Sequence, residues 1–218
     1  MCFNPTASLI AFAIGFVSWV VLLSMKMYSD ALIAMYLFAM QLLEYFAHKS
    51  VINRDKVMNV ITAKLIYLFI FVQPLLFYAA STMLKQKYWV KDANRFLFLI
   101  PVYIIFCGFF YRYLNQRNLF QTTYLDDSCK NICRMSWDFF AYNKGLTTIA
   151  LLLYLLICTA FFKKTLIPLY AIVLFVVSLI YTIFLSRDLK TAFSIFGSIW
   201  CFLAITYGPA TIYKTLYP

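Results

Sequence analysis

The sequence predicts an all-α integral membrane protein, a bundle of seven transmembrane helices forming one domain over residues 1–218. Composition supports this, because 64% of the residues are apolar and 12% are charged, whereas soluble domains are roughly 45–50% apolar and about 25% charged. Length supports it too, because seven spans of roughly 20 residues need about 140 residues and leave no room for a separate soluble domain among 218. Long unbroken apolar runs and only 5 Gly argue against a β-barrel.

Local signals place the helix boundaries. Asn4-Pro5-Thr6 precedes the first apolar run, and Ser29-Asp30 are the expected N-caps of the second helix. Gln73-Pro74 falls inside the third run, where an internal proline removes a helical hydrogen bond and predicts a bend. Very short links join the last three helices, which are therefore antiparallel neighbours. The predicted spans cover about residues 7–25, 31–48, 60–83, 96–114, 146–162, 166–186 and 190–213.

A long polar connection follows the fourth helix and interrupts this rhythm. Within it, Cys129, Ile132, Cys133, Trp137 and Phe140 recur at helical spacing, whereas the residues between them are mostly polar. This pattern predicts a helix over about 128–142 that lies in the membrane interface. The alternative is a loop helix packed on the end of the bundle.

Charge patterning indicates lipid rather than nucleic acid as the partner. The net charge is +11, but the cations lie almost wholly in the loops, where basic residues usually contact anionic lipid. We therefore expect a bilayer partner and no nucleic acid. Eleven of the 19 cations fall on the side of the N-terminus and eight on the other, which is too even to orient the chain.

The usual metal and catalytic motifs are absent from the sequence. Cys129 and Cys133 have helical spacing, but a zinc site normally needs four ligands and the single His48 lies elsewhere. The last helix carries Lys190 and Lys214 only at its ends, so it has no lysine for a retinal Schiff base. We expect neither metal nor cofactor, and enzymatic activity is disfavoured.

The second helix carries the most informative polar residues. Gln41, Glu44 and His48 are spaced to line one face, and Glu44 is the only acid within a predicted span. An ionisable group in a span is costly unless it is paired or faces a cavity, so we expect Glu44 to point into the bundle, toward helix 3 or helix 7. Lys64 lies at about the same depth in the third helix and is a candidate ion-pair partner. The carboxylate is either a proton-binding or substrate-binding group or a structural tie between helices, and the available partner favours the tie.

The last helix offers a second polar face. Ser194, Ser198 and Cys201 lie along it, with Trp200 beside them and Gly208-Pro209 further on. Small and hydroxyl residues at this spacing are typical of close helix packing. The alternative is a ligand cavity, because Gly208-Pro209 can open the helix and Trp200 can form a wall.

Three short segments resemble a family of uncharacterised integral membrane proteins from bacteria and large DNA viruses. These segments are MCFNPTAS at residues 1–8, FAMQLLE at 38–44 and SIWCF at 198–202. Members begin MCFSATAS, carry a QQxIE-like motif in the second helix and have SxWCF in the last; this chain departs at Asn4-Pro5 and at Met40. The resemblance brings no activity, and it implies only that one site is formed by Cys2, Gln41, Glu44, Trp200 and Cys201.

Two functions from different classes follow. In the first, the protein binds or moves a small solute or a proton through an inter-helix cavity faced by Gln41, Glu44, Trp200 and Cys201, with Lys64 as a further candidate. In the second, it is a structural or interaction protein, such as a virion or organelle membrane component, whose polar residues hold the bundle together. A lipid-modifying enzyme lacks a recognisable catalytic set.

Overall fold

The computed structural model describes residues 4–83, 97–124, 135–141, 144–161 and 205–217, with the single positions 173, 176 and 180. These ranges form seven helices and one two-stranded antiparallel sheet. The elements are α1 (Pro5–Ser24), α2 (Tyr28–Ile52), α3 (Lys56–Met83), α4 (Leu99–Gln116), β1 (Thr122–Tyr124), β2 (Met135–Trp137), α5 (Asp138–Ala141), α6 (Lys144–Phe161) and α7 (Tyr207–Leu216).

Three of the described helices are long and apolar enough to cross a membrane. They are α1, α2 and the Lys56–Leu76 part of α3. Their 20, 25 and 21 residues correspond to about 30, 37 and 31 Å, against a hydrocarbon core of about 30 Å. The helices α4 and α6 occupy the places of the fourth and fifth predicted spans. Of the sixth predicted span only the single positions are described, and of the seventh only residues 205–213.

The expected start signal of the first helix is confirmed, and the expected N-cap of the second helix is wrong. Asn4 caps α1, its Oδ1 accepting a hydrogen bond of 2.8 Å from the backbone N–H of Ala7, and Pro5 occupies the first helical position. The expected Ser29-Asp30 cap is wrong, because α2 begins at Tyr28 after a tight turn and has no side-chain cap. The Asp30 carboxylate instead accepts a hydrogen bond of 2.6 Å from the hydroxyl of Tyr207, so it joins α2 to the last helix.

Small side chains let α1 pack closely against α2 and α7. Gly15 faces α2, and a Cβ atom added there would lie 2.3 Å from the Cβ of Phe38. Gly208 of α7 approaches α1 equally closely. A Cβ atom added at Gly208 would lie 2.7 Å from the Cβ of Ser18. Small residues at such crossings allow close backbone approach in membrane helices. The buried residues of α1 recur every three or four positions, at Ser8, Ala11, Gly15, Ser18 and Leu22.

Pro74 lies well inside α3, as the sequence indicates, and the bend expected there stays a prediction. A proline at this position leaves the carbonyl of Ile70 without its helical N–H partner. The hydroxyl of Tyr36 from α2 donates to the adjacent carbonyl of Phe69, and a tyrosine from α4 does the same for Phe71 at 2.8 Å. Neighbouring helices thus supply donors at the turn that the proline disrupts.

The helix expected over 128–142 is wrong for residues 135–137, which form β2 and pair with β1. Residues 128–134 and 142 of that expectation lie outside the described residues. The three side chains of β2 are all buried, and the indole of Trp137 stacks at 5.8 Å on the ring of Phe139 at the start of the short α5. Burial of both faces removes the exposed polar side that an interfacial helix needs. This segment packs on the end of the bundle, as the alternative proposed, but as a strand.

The last helix is also shorter than expected over residues 205–213. A turn at Ile205 and Thr206 precedes α7, which begins at Tyr207. Pro209 is the third residue of this helix, where a missing N–H is tolerated because the first-turn donors have no intrahelical partner. The expectation of one continuous helix through this region is therefore wrong.

We predict that Gly15→Ala destabilises the protein, whereas Gly108→Ala does not. The new methyl group at Gly15 meets the Cβ of Phe38, and overpacking of this kind costs about 1–3 kcal/mol. Gly108 is exposed on α4 with no atom within 4 Å of an added Cβ, so alanine there adds about 0.5–1 kcal/mol of helix stability. Thermal unfolding in detergent measures both variants, and equal midpoints would contradict the close approach of α1 and α2.

Candidate functional site

Three polar residues of α2 are fully buried inside the protein. Gln41, Glu44 and His48, here called the α2 polar face, each have 0% exposure. Because α2 extends to Ile52 rather than ending near residue 48, Glu44 lies eight residues from the helix end, at a depth of about 12 Å rather than about 6 Å. The expected inward orientation of Glu44 agrees with its burial, and its direction toward helix 3 or helix 7 stays a prediction.

The paired strands β1 and β2, here called the hairpin, cover the His48 end of this face. The hydroxyl of Tyr124, the last residue of β1, shares a hydrogen bond of 2.9 Å with Nδ1 of His48. The two rings lie 5.7 Å apart between centroids. Tyr124 therefore connects the hairpin with His48, the residue of the α2 polar face that lies nearest the end of the helix.

A second contact holds the hairpin in place. Asn59 of α3 is buried, and its Nδ2 donates to the carbonyl and to Oγ1 of Thr122, both at 3.0 Å. The backbone N–H of Thr122 returns a hydrogen bond of 2.8 Å to Oδ1 of Asn59. The Asn59 amide thus bonds to the backbone of Thr122 as a neighbouring strand would. This contact fixes β1 and so positions Tyr124, two residues after Thr122.

The ion pair considered for Glu44 and Lys64 is absent from the part of the chain that the structure describes. The Lys64 ammonium lies over the ring of Phe120, 5.8 Å from its centroid, and its side chain is half-buried. The two residues have the expected equal depth, about 12 Å from the α2–α3 turn. Equal depth does not set the rotation of each helix about its axis, and α3 directs Lys64 toward an aromatic face that binds cations.

The inner end of the α2 polar face contains an unpartnered amide. Both Nε2 and Oε1 of Gln41 are buried and have no hydrogen-bond partner among the described residues. The hydroxyl of Ser8 is likewise buried and has no hydrogen-bond partner among the described residues. Ser8 lies seven residues before Gly15, which packs on Phe38, so its depth is close to that of Glu44 on the antiparallel α2.

Ser8 was missed by the sequence analysis. Its signal is the run of small residues at positions 8, 11, 15 and 18, which marks the face that α1 turns toward α2. An isolated serine in an apolar run carries no such information. Only the close approach of α1 and α2 brings its hydroxyl to the depth of the α2 polar face.

This arrangement suits proton exchange or the binding of a small polar molecule. Tyr124, His48 and Glu44 form a line of exchangeable groups from the hairpin to the interior, with His48 and Glu44 one helical turn apart. Gln41 adds a donor and an acceptor at the inner end. A buried amide without partners costs about 1–3 kcal/mol, which a ligand or water that bonds to it would offset.

Three of the candidate residues, Cys2, Trp200 and Cys201, lie outside the described residues. Within the described ranges, no group of three or more His, Cys, Asp and Glu side chains could hold a metal ion. The polar face of helix 7 proposed from Ser194, Ser198 and Cys201 also falls outside them. The site that the structure brings together is thus the α2 polar face with the residues around it.

Comparison with protein-family models, curated proteins and solved structures finds no match for the chain. The family resemblance rests on the three short segments alone.

We predict that Asn59→Ala lowers stability by about 1–3 kcal/mol, because it leaves the buried backbone of Thr122 without its partners. Asn115→Ala on the exposed surface of α4 is the matched control and is expected to change stability by less than about 0.5 kcal/mol. Thermal unfolding in detergent compares the two. Equal small effects would mean that the hairpin is not held through Asn59.

Proposed function

We propose that the protein is a multi-pass membrane protein of seven spans that binds or moves a small polar solute or a proton through a cavity between its helices. The α2 polar face supplies the binding groups: Glu44 the charge or proton, Gln41 the donor and acceptor that orient the solute, and His48 the link to Tyr124. Lys64 is not part of this set.

The observation that carries the proposal is the buried amide of Gln41, whose two polar atoms have no partner among the described residues. A glutamine kept only for packing would be replaced by leucine or methionine without this desolvation penalty. Its position one turn from a fully buried carboxylate favours a site that a polar molecule or water occupies. Ionisable groups within membrane spans commonly mark such pathways.

The alternative is a structural or interaction membrane protein, such as a virion or organelle membrane component. The hydrogen bond between His48 and Tyr124 favours it, because that bond ties the hairpin to α2 whether or not a solute binds. In that case Glu44 and Gln41 belong to the same polar tie. The two functions differ in whether substitution of these residues changes transport or only stability.

We predict that Glu44→Gln and Gln41→Leu each lower proton or solute flux by at least about tenfold, the effect of losing a charge-assisted or site hydrogen bond. Flux is measured with a pH-sensitive dye inside proteoliposomes under an imposed potential, and with a panel of small polar solutes. Gln41→Leu should also raise the unfolding temperature, because it removes the unpartnered amide.

A buried glutamine outside the site provides the control. Gln73→Leu on α3 removes an amide that accepts a hydrogen bond of 3.0 Å from Tyr154, and it is expected to lower stability while leaving flux unchanged. No flux from the wild-type protein, or equal flux from all variants, would contradict transport and favour the structural function.

The family resemblance extends the proposed site to Cys2, Trp200 and Cys201. If Cys2 and Glu44 belong to one site, we predict that Cys2→Ser and Glu44→Gln are coupled in a double-mutant cycle by more than about 0.5 kcal/mol of unfolding free energy. Thermal unfolding of both single variants and the double variant measures the coupling. Additive effects, or immediate reaction of Cys2 with a water-soluble thiol reagent, would separate the terminus from the site.

A further inference from the structure

Among the described residues, five exposed cations lie at one end of the helix bundle. Arg117, at the end of α4, lies over the ring of Tyr113, 5.7 Å from its centroid. The other four lie at the end of α2, in the α2–α3 turn, at the start of α3 and in the last turns of α4, and are Lys49, Arg54, Lys56 and Arg112. We call them the basic collar. In the part of the chain that the structure describes, none of them forms an ion pair.

The contacts between helices place the whole collar on the same side of the bundle. A three-residue turn joins α2 to α3, so the end of one adjoins the start of the other. The hydroxyl of Tyr67 donates to the carbonyl of Cys107, and that of Tyr103 to the carbonyl of Phe71. This register makes α4 antiparallel to α3 and brings its last turns beside the first turns of α3.

Helix length sets the depth of the collar in a membrane. The 25 residues of α2 extend about 37 Å, roughly 7 Å more than a typical hydrocarbon core. If the excess lies at this end, the last turn of α2 reaches the headgroup layer. Lys49 supports this placement, because its ammonium lies 5.8 Å from the ring centroid of Tyr45, an aromatic residue one turn deeper. Arg112 lies four residues from the end of α4, within reach of the headgroups for its long side chain.

Apolar residues are exposed among these cations. Ile52 is 52% exposed and Val57 is 71% exposed, on either side of the turn that contains Arg54. The upper acyl chains of a bilayer accept them while its phosphates meet the neighbouring cations.

The nearest acid forms no ion pair with the collar in the described part of the chain, but its negative charge offsets one of the four positive charges. Asp55 lies between Arg54 and Lys56 in sequence, but its Oδ1 accepts a hydrogen bond of 2.9 Å from the backbone N–H of Met58 and so caps α3. The collar therefore presents a net positive charge at this end of the bundle, with apolar residues exposed beside it.

We infer that this end of the protein is a binding surface for anionic phospholipid, with the basic collar holding the headgroup phosphates and Ile52 and Val57 contacting the acyl chains. The inference rests on the proposed insertion in a membrane, but not on transport through the α2 polar face. Each cation near a charged bilayer surface strengthens association by about fivefold, so four act strongly together.

The experiment uses the full chain reconstituted in nanodiscs of equimolar phosphatidylcholine and phosphatidylglycerol. Native mass spectrometry of the released protein counts the retained lipids of each kind. We predict that phosphatidylglycerol is enriched at least about fivefold over phosphatidylcholine on the wild-type protein. Enrichment should fall to about one in the variant in which all four collar residues are replaced by glutamine.

Lys26→Gln combined with Lys214→Gln is the matched control, because both residues are exposed cations outside the collar, on the turn after α1 and on α7. This variant should keep the enrichment. Equal enrichment in the collar variant, or loss of enrichment in the control variant alone, would overturn the inference. Alkaline extraction of the same proteins from membranes reports insertion separately, so a protein that is extracted contradicts the proposed membrane function, whereas an inserted protein without enrichment contradicts only the lipid surface.

Discussion

Burial of the polar side of α2 is the constraint on which the described structure depends. The helix carries an aspartate, a glutamine, a glutamate and a histidine into regions shielded from water, and neighbouring elements cover these groups. Tyr207 of α7 donates to Asp30 near one end, and Tyr124 of β1 shares a hydrogen bond with His48 near the other. The small residues of α1 cover part of the same helix by close packing. Displacement of α2 would leave polar groups on α2, on α7 and on β1 without their hydrogen-bond partners.

Tyrosine hydroxyls provide many of the hydrogen bonds to buried polar groups inside the bundle. Its ring packs like a large apolar side chain, while its hydroxyl reaches a partner at the far end. Around Pro74 two tyrosines donate to the backbone of α3 and Tyr154 donates to Gln73, so hydroxyls from α2, α4 and α6 converge on one turn of a single helix. This usage differs from an interfacial belt, where the hydroxyl faces water. These donors lie at the turn that contains Pro74, although they bond to the carbonyls on either side of Ile70 and to a side chain rather than to the Ile70 carbonyl itself.

The hairpin and the basic collar lie at the same end of the bundle. Asn59 and His48 hold β1 above the α2 polar face, and the exposed cations of the basic collar lie around it. The contact of Lys64 with Phe120 keeps a further cation near this end without neutralising the buried carboxylate.

Residue spacing alone determined which residues of α2 share a face, because helical periodicity is a local property that does not depend on the rest of the fold. Apolar run length likewise predicted α1 to α4 and α6 close to their observed limits, and Asn4-Pro5 identified the first helix start. The tertiary structure decided the partners. Lys64 turns to an aromatic ring instead of Glu44 since rotation about a helix axis depends on packing. Trp137 lies in a strand because pairing with a segment 15 residues earlier outweighs its local helical pattern. Tyr207 reaches Asp30 of α2, and the Ser8 hydroxyl comes to the depth of the α2 polar face, only through the close approach of separate helices, which depends on contacts far apart in the chain.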